Sequence, residues 1–260
     1  MTYLLAVDVG NTNVSLGTFE GDRLKATWRL STDSRRTEDE LFLLFEGLLR
    51  SRGIEPREIT AVSMCSVVPP LTDTVRRALE RLAATGPLVV GSGTRTGIKI
   101  AYDRPQDVGA DRIVDAVAAY HVYGAPAVVV DLGTATVFDA ISANGDYLGG
   151  ALAPGISLSA EALYSSASML RRVALEPPGK AIGTNTVAAL QSGLVYGYVG
   201  LVEGMVRRFI KELATPESPD VIVIATGGLA NVIASETDVF TAVDEDLTLK
   251  GLRLIYEMNS

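Results

Sequence analysis

Histidine, cysteine and tryptophan each occur once in this chain, as His121, Cys65 and Trp28. A single histidine removes most His-based triads, HExxH zinc sites and His-rich metal clusters at once. A single cysteine excludes an intrachain disulfide and suits a reducing compartment. Cations are scarce too: 23 Lys and Arg face 31 Asp and Glu, a formal charge of −8. That balance argues against nucleic acid or an anionic membrane as a partner, because both need clustered Lys and Arg. Any phosphate must then be held by local backbone N–H groups or a metal ion. No apolar run reaches the roughly 18–20 residues of a membrane span. The chain opens directly into the strand-like Tyr3-Leu-Leu-Ala-Val-Asp8, with no basic region or cleavage pattern before it. These absences predict a cytoplasmic protein whose chemistry rests on carboxylates, hydroxyls, backbone amides and a few arginines.

What is present is an ordinary globular composition, 47% apolar and 21% charged over 260 residues. That length exceeds one average domain and falls short of two full-sized ones. Internal duplication is the strongest signal. Leu4-Leu-Ala-Val-Asp-Val-Gly-Asn-Thr-Asn13 is an apolar strand running into Asp-x-Gly-x-Thr. Ala127-Val-Val-Val-Asp-Leu-Gly-Thr-Ala-Thr136 repeats the arrangement. In each half two more strand-like stretches follow, 14–19 and 24–30 in the first, 137–142 and 147–152 in the second. Each pair is joined by a turn, Glu20-Gly21-Asp22 and Asn144-Gly145-Asp146, of the kind that tolerates positive φ. Helical spacing then appears over 37–52 and about 185–213. A short apolar strand closes each pattern, at 61–67 and 221–225, ending in Pro69-Pro70 and Thr226-Gly227-Gly228 respectively.

Three strands in a meander, a helix, then further strand and helix units, all repeated, resemble the ribonuclease-H-like domain pair of actin, sugar kinases and Hsp70. In that class a nucleotide sits in the cleft between the two domains. The expected fold is therefore α/β, with duplicated ribonuclease-H-like (actin-like ATPase) domains at residues 1–118 and 119–260.

The loops have a chemical logic. Gly10 lacks the Cβ that would keep the backbone away from a phosphate. Asn11, Thr12 and Asn13 offer N–H, amide and hydroxyl donors. Asp8, at the strand tip, suits the Mg²⁺ that accompanies ATP, held through water. The second loop supplies Asp131, Gly133 and the Thr134 hydroxyl. Thr226-Gly-Gly228 is either a third nucleotide contact, with adenosine against small residues at the start of a helix, or an ordinary strand-to-helix turn. Gly109-Ala-Asp-Arg112 opens an amphipathic helix carrying Ile113, Val117 and Tyr120 on one face. Asp111 in its first turn fits a general base that must stay ionised, and it equally fits a helix cap. Arg112 could grip a substrate carboxylate bidentately or be a solvated surface charge.

Asp8-Val-Gly-Asn-Thr-Asn13, Gly109-Ala-Asp-Arg112, Asp131-Leu-Gly-Thr-Ala-Thr136 and Gly149-Gly-Ala-Leu-Ala-Pro-Gly155 together resemble the type III pantothenate kinases. Ile182-Gly-Thr-Asn-Thr186, Gln191-Ser-Gly193, Thr226-Gly-Gly228 and Leu247-Thr-Leu-Lys-Gly251 extend the match over essentially the whole chain. The resemblance implies ATP-dependent phosphorylation of pantothenate, the first committed step towards coenzyme A, with Asp111 as proton acceptor. It implies that Tyr102 and Gly109, Ala110, Asp111 and Arg112 line the pantothenate site. Asp8, Val9, Gly10, Asn11, Thr12, Asn13, Val14 and Ser15, with Thr134, would contact ATP, and Gly227 would join them. Asp131 would bind a monovalent cation, K⁺ or NH₄⁺. Family members are homodimers, and Thr186 would help complete the neighbouring subunit's pocket. The chain departs from the pattern at Thr184, where many relatives carry a basic residue.

Other residues read as structure: Cys65 as core filler, His121 as packing or capping, Trp28 against a sheet, and Glu38-Asp39-Glu40 as complement to a helix dipole. Arg171 and Arg172 fit either a cleft or the surface. Two rival functions remain, a kinase of another small hydroxyl compound and a non-catalytic nucleotide-binding regulator. Retention of Asp8, Asp111 and Asp131 speaks against the regulator, which needs no such set.

Overall fold

A computed structural model describes residues 2–83, 85–166 and 170–260. From the N-terminus, β1 (Tyr3–Val9), β2 (Asn13–Glu20) and β3 (Arg23–Ser31) form a meander, followed by α1 (Glu38–Ser51), β4 (Ile59–Ser66), α2 (Pro69–Leu82), β5 (Leu88–Val89) and α3 (Ala110–Ala118). The pattern then recurs. β6 (Ala127–Leu132), β7 (Ala135–Ile141) and β8 (Tyr147–Pro154) precede α4 (Ile156–Ser166), α5 (Thr186–Leu213), β9 (Ile222–Thr226), α6 (Ala230–Ala234) and β10 (Ala242–Val243). The last element is α7 (Leu247–Asn259).

The two sheets have the same topology, β3-β2-β1-β4-β5 and β8-β7-β6-β9-β10. In each, the meander is antiparallel and the next strand joins the first in parallel. The expected duplicated α/β architecture is the observed one. Burial follows strand position. Residues 61–65 of β4 are all buried, as a parallel strand covered on both faces should be, whereas edge strand β3 alternates half-buried and exposed residues. In the first core Leu41, Phe45 and Leu49 of α1 recur every fourth residue and meet Leu71, Val75 and Leu79 of α2. In the second, Leu194, Val195, Val199, Val202 and Val206 of α5 pack with Val128, Val130 and Phe138.

The prolines expected to form a turn at Pro69-Pro70 instead occupy the first positions of α2, where a missing N–H costs nothing. α1 begins with a reciprocal box between Thr37 and Glu40, so the acidic run does more than complement a dipole. Glu38 and Asp39 also accept from Arg81 of α2, at 3.0 and 2.6 Å.

The chain forms two compact units that depart from the expected division at 118/119 in two exchanges. The first unit comprises residues through Gly97, Arg104–Ala118 and Thr248–Ser260; the second comprises Ile98–Asp103 and Ala119–Leu247. Backbone pairing explains the first exchange: Ile100 bridges to Tyr147 beside the edge of the second sheet. Helix packing explains the other, because Gly251 of α7 lies directly against the Val114 backbone of α3.

Candidate active site

The first unit gathers one set of expected site residues at the ends of β1 and β4 and the start of α3. Pairing places Asp8 opposite Ser15 on β2 and Cys65 on β4. The β1–β2 turn is closed by the Gly10 N–H donating to the Asn13 carbonyl at 3.0 Å. A Cβ at residue 10 would come 3.1 Å from that carbonyl, so glycine is needed for the turn as well as for any ligand. Thr32, just past β3, pins the turn from outside. Its hydroxyl donates to the Gly10 carbonyl at 2.7 Å and its N–H to the Thr12 carbonyl at 2.9 Å. Asn11 and Thr12 are exposed at the tip, and Asn13 and Ser15 are half-buried. The side chains of Val9 and Val14 lie in the first core, so only their backbone is available to a nucleotide.

Cys65 is buried, as expected of a core residue, yet its S–H also donates to Asp8 Oδ1 at 3.3 Å. Burial first, and the Asp111 carboxylate second, push the Asp8 pKa up to about 7, while the thiol pulls the other way. Burial and then the neighbouring carboxylates push the Cys65 thiol well up, which keeps it protonated and unreactive.

Asp111 lies in the first turn of α3, half-buried, with Oδ1 accepting from the Arg112 N–H at 2.8 Å. Burial raises its pKa; that N–H and then the Arg112 guanidinium oppose the rise. The glycine two residues earlier has a specific reason. A Cβ on Gly109 would fall 2.5 Å from Asp111 Oδ1 and 3.5 Å from Val67 Cγ1, so the missing side chain leaves the space that the carboxylate occupies. Two partly buried carboxylates without a full complement of positive charge suit a cation and a proton acceptor.

The second unit builds a matching loop around Asp131, which pairs with Val137 on β7 and Thr226 on β9. Thr226 thus holds the place that Cys65 holds in the first sheet. Here the Gly133 N–H donates to the Ala135 carbonyl at 3.1 Å, in a turn one residue shorter than its counterpart. The Gly155 N–H donates to the Thr134 carbonyl at 3.1 Å, and a Cβ on Gly155 would overlap the carbonyls of Gly133 and Thr134. Gly227 has φ +88°, and a side chain there would strike Asp131 Oδ1 and the Leu132 backbone. Gly133 and Gly227 therefore let the β6–β7 turn and the β9–α6 junction close on Asp131, while Gly155 lets the β8–α4 junction close on the turn itself, with the Thr134 side chain exposed.

Tyr102 belongs to the second unit, its exposed ring 6.3 Å from that of Tyr147 and occupying the space a Cβ on Gly149 would crowd at 3.2 Å. Gly109, Ala110, Asp111 and Arg112 belong to the first. Thr186 is the first residue of α5, exposed, just after Asn185, whose side chain accepts from the Ala188 N–H at 2.9 Å. Thr184 is exposed as well. Trp28 packs against the first core. His121 is exposed with its ring edge-on to Tyr120 at 5.0 Å. Arg172 pairs with Glu161 at 2.8 Å in solvent, and Arg171 is exposed. Sequence reading missed Thr32 and the Cys65–Asp8 bond, since both depend on which strands become neighbours.

Two α/β units of one strand order, each with an Asp-x-Gly turn at the end of its central strand, define the duplicated fold of the actin-like ATPase and sugar kinase class. Solved structures share it at the level of fold. Ethanolamine utilization protein EutJ from Carboxydothermus hydrogenoformans matches with a TM-score of 0.58 and 15% identity, covering 98% of this chain and 90% of that one. Component A of (R)-2-hydroxyglutaryl-CoA dehydratase from Acidaminococcus fermentans matches with 0.52 and 13%, covering 100% and 98%. The sequence is more specific: the family model for type III pantothenate kinase matches residues 4–208. Type III pantothenate kinases from Myxococcus xanthus and Brevibacillus brevis are 52% and 48% identical over 256 residues, covering 98% of this chain and 98% and 99% of their own. The chain belongs to the type III pantothenate kinase family.

Proposed function

We propose that the chain transfers the γ-phosphoryl group of ATP to the hydroxyl of pantothenate, the first step towards coenzyme A, with Asp111 as proton acceptor. Family membership over nearly the whole chain carries this reading, with Asp111 in its Gly-Ala-Asp-Arg setting at the head of α3. The substrate hydroxyl oxygen bonds to the γ-phosphorus, its proton passes to the Asp111 carboxylate, and ADP leaves. Burial raises the Asp111 pKa above the ordinary carboxylate value, which makes the carboxylate a stronger base. Tyr102, Gly109 and Ala110 line the pantothenate pocket, and Arg112 grips the substrate carboxylate.

ATP meets the turn of residues 8–15, chiefly through backbone N–H groups and the exposed Asn11 and Thr12, together with Thr134 and Gly227. Asp8 fits Mg²⁺, because a half-buried carboxylate held near pH 7 lacks the positive charge that a cation brings. Bound there, the ion would neutralise charge developing on the phosphates. Asp131, an oxygen donor closely walled by Gly133 and Gly227, fits K⁺ or NH₄⁺. A homodimer is part of the reading, with Thr186 facing the partner's pocket. Ile182 and Val187, 85% and 53% exposed on either side of Thr186, form apolar surface that a second subunit would cover. A cytoplasmic location fits the lone reduced thiol. Among the described residues no helix is long and apolar enough to cross a membrane.

The test is ADP release by purified protein with ATP, Mg²⁺ and K⁺, with and without pantothenate. Pantothenate-dependent ADP is expected. ADP formation indifferent to pantothenate would sink the substrate assignment and return the search to other small hydroxyl compounds.

A further inference from the structure

The element that carries Asp111 is short. α3 has nine residues and passes straight into a π-helical turn over Ala119–Tyr123. A helix of that length gains little rigidity from its own backbone bonds and must be held by its neighbours. One of those neighbours is α7, whose opening segment, residues 247–251, has no part in the chemistry described above.

Two separate contacts join α7 to α3 one turn after Asp111. Asp115 lies four residues on from Asp111, on the same helix face. It is only 4% exposed, and its Oδ1 accepts from the Thr248 hydroxyl at 2.6 Å. Three residues further along α7, Gly251 lies against the Val114 backbone so closely that a Cβ would overlap the Val114 carbonyl and Cγ1. The hydroxyl fixes the rotation of α3 about its axis, because it holds one side chain on one face. The glycine fixes the separation of the two helices, because any larger residue would force them apart. Rotation of α3 and its separation from α7 each move the Asp111 carboxylate. Burial gives the first contact its strength, since a buried carboxylate deprived of a donor is costly.

We propose that Thr248 and Gly251 are positioning residues for catalysis, clasping α3 through Asp115 and Val114 so that the Asp111 carboxylate is held in line with the substrate hydroxyl. The proposal rests on Asp111 being the proton acceptor. A displacement of about 1 Å at a reacting group can lower a rate by roughly a hundredfold. Removing one of two contacts should cost less than that.

The test compares Thr248→Val, Thr248→Ser and Gly251→Ala in the wild-type background, and Thr248→Val in the Asp111→Asn background, by steady-state kinetics and thermal melting. Thr248→Val is nearly isosteric and removes only the donor. It is expected to lower kcat by roughly tenfold, leave KM for ATP within about twofold, and retain one cooperative melting transition. Thr248→Ser should restore most of kcat, and Gly251→Ala should lower it as Thr248→Val does. In the Asp111→Asn background Thr248→Val should cost nothing further, because the clasp acts only through that carboxylate. Unchanged kcat in Thr248→Val beside a crippled Asp111→Asn would overturn the clasp and spare the base assignment. An equal loss from Thr248→Val in both backgrounds would overturn it too, by showing a merely structural role. Near-wild-type turnover by Asp111→Asn would instead overturn the base assignment, and the clasp with it.

Discussion

The Cys65 S–H donates to Asp8 Oδ1 across 3.3 Å, where β1 and β4 run side by side. A thiol is a weak donor, and it is too weak to offset the burial and the Asp111 charge that lift Asp8 to about 7. The groups facing Asp8 are thus a neutral thiol from β4 and a second carboxylate from α3. Neither group supplies positive charge to the Asp8 carboxylate.

Stability of the unliganded protein should therefore depend on pH through Asp8. Its folded pKa lies above its unfolded value of 3.8, so the folded state holds the proton more tightly. The resulting stabilisation is complete below about pH 4 and is lost as pH rises through about 7. Its full size is on the order of 4 kcal/mol, most of which is lost between pH 5 and pH 8, a shift of several degrees in Tm. Melting wild type and Asp8→Asn at pH 5 and pH 8 should show the loss in wild type only. Parallel curves would mean that Asp8 titrates at its ordinary value.

Asp111→Asn should lower turnover by roughly two to four orders of magnitude, the range of a general base, and leave ATP binding nearly intact. Nucleotide titration alongside steady-state rates separates the two effects. A variant that keeps near-full rate would exclude Asp111 as the base.

Gly109→Ala and Gly227→Ala should fail in different ways. A methyl at 109 meets the Asp111 carboxylate, so kcat should drop by roughly tenfold or more with little change in Tm. A methyl at 227 meets the Leu132 backbone at φ +88°. A Cβ there also strikes Asp131 Oδ1, so a loss of stability on the order of 2–4 kcal/mol should accompany the loss of rate, where Gly109→Ala loses rate alone. Thermal melts and kinetics on both proteins check the contrast, and equal behaviour would refute it.

Replacing K⁺ by Na⁺ should sharply reduce activity if Asp131 holds the monovalent ion, and Asp131→Asn should erase the difference between the salts. Equal wild-type rates in both salts would remove that assignment.

Charge placed on the apolar surface beside Thr186, as in Val187→Asp, should convert a dimer to monomers and raise KM for pantothenate together. Light scattering at several protein concentrations decides the first point. A wild-type protein that is monomeric throughout would leave Thr186 without a partner's pocket to complete.

Much of this was legible in the sequence because local chemistry carried it. The apolar strand runs, the Asp-x-Gly turns and the helical spacing over 37–52 are all short-range signals. The helical spacing of Leu71, Val75, Leu79 and Leu82 is equally local, but a Pro-Pro pair is a turn signal as well as a helix start, and only the fold decides between them. α4 was missed because it interrupts the repeat, having no counterpart between β3 and α1 in the first half. Thr32, the Cys65 thiol and Gly155 could not be placed from spacing at all. Each acts on a residue distant in the chain, and only strand order makes them neighbours. The return of α7 to the first unit was hidden for the same reason: Thr248 and Asp115 are 133 residues apart in sequence.

That return has a bearing on how the protein is made. Synthesis runs from the N-terminus, so the strands of the first sheet and the helix bearing Asp111 emerge from the ribosome well before the segment that packs against them. Residues 119–247, the bulk of the second unit, must be translated in between. The second unit can complete its own core as it emerges, whereas the first must wait with one side of α3 uncovered until residues 248–260 arrive. The first unit therefore closes only after most of the second has been translated, and α3 gains its α7 contacts only once residues 248–251 have emerged.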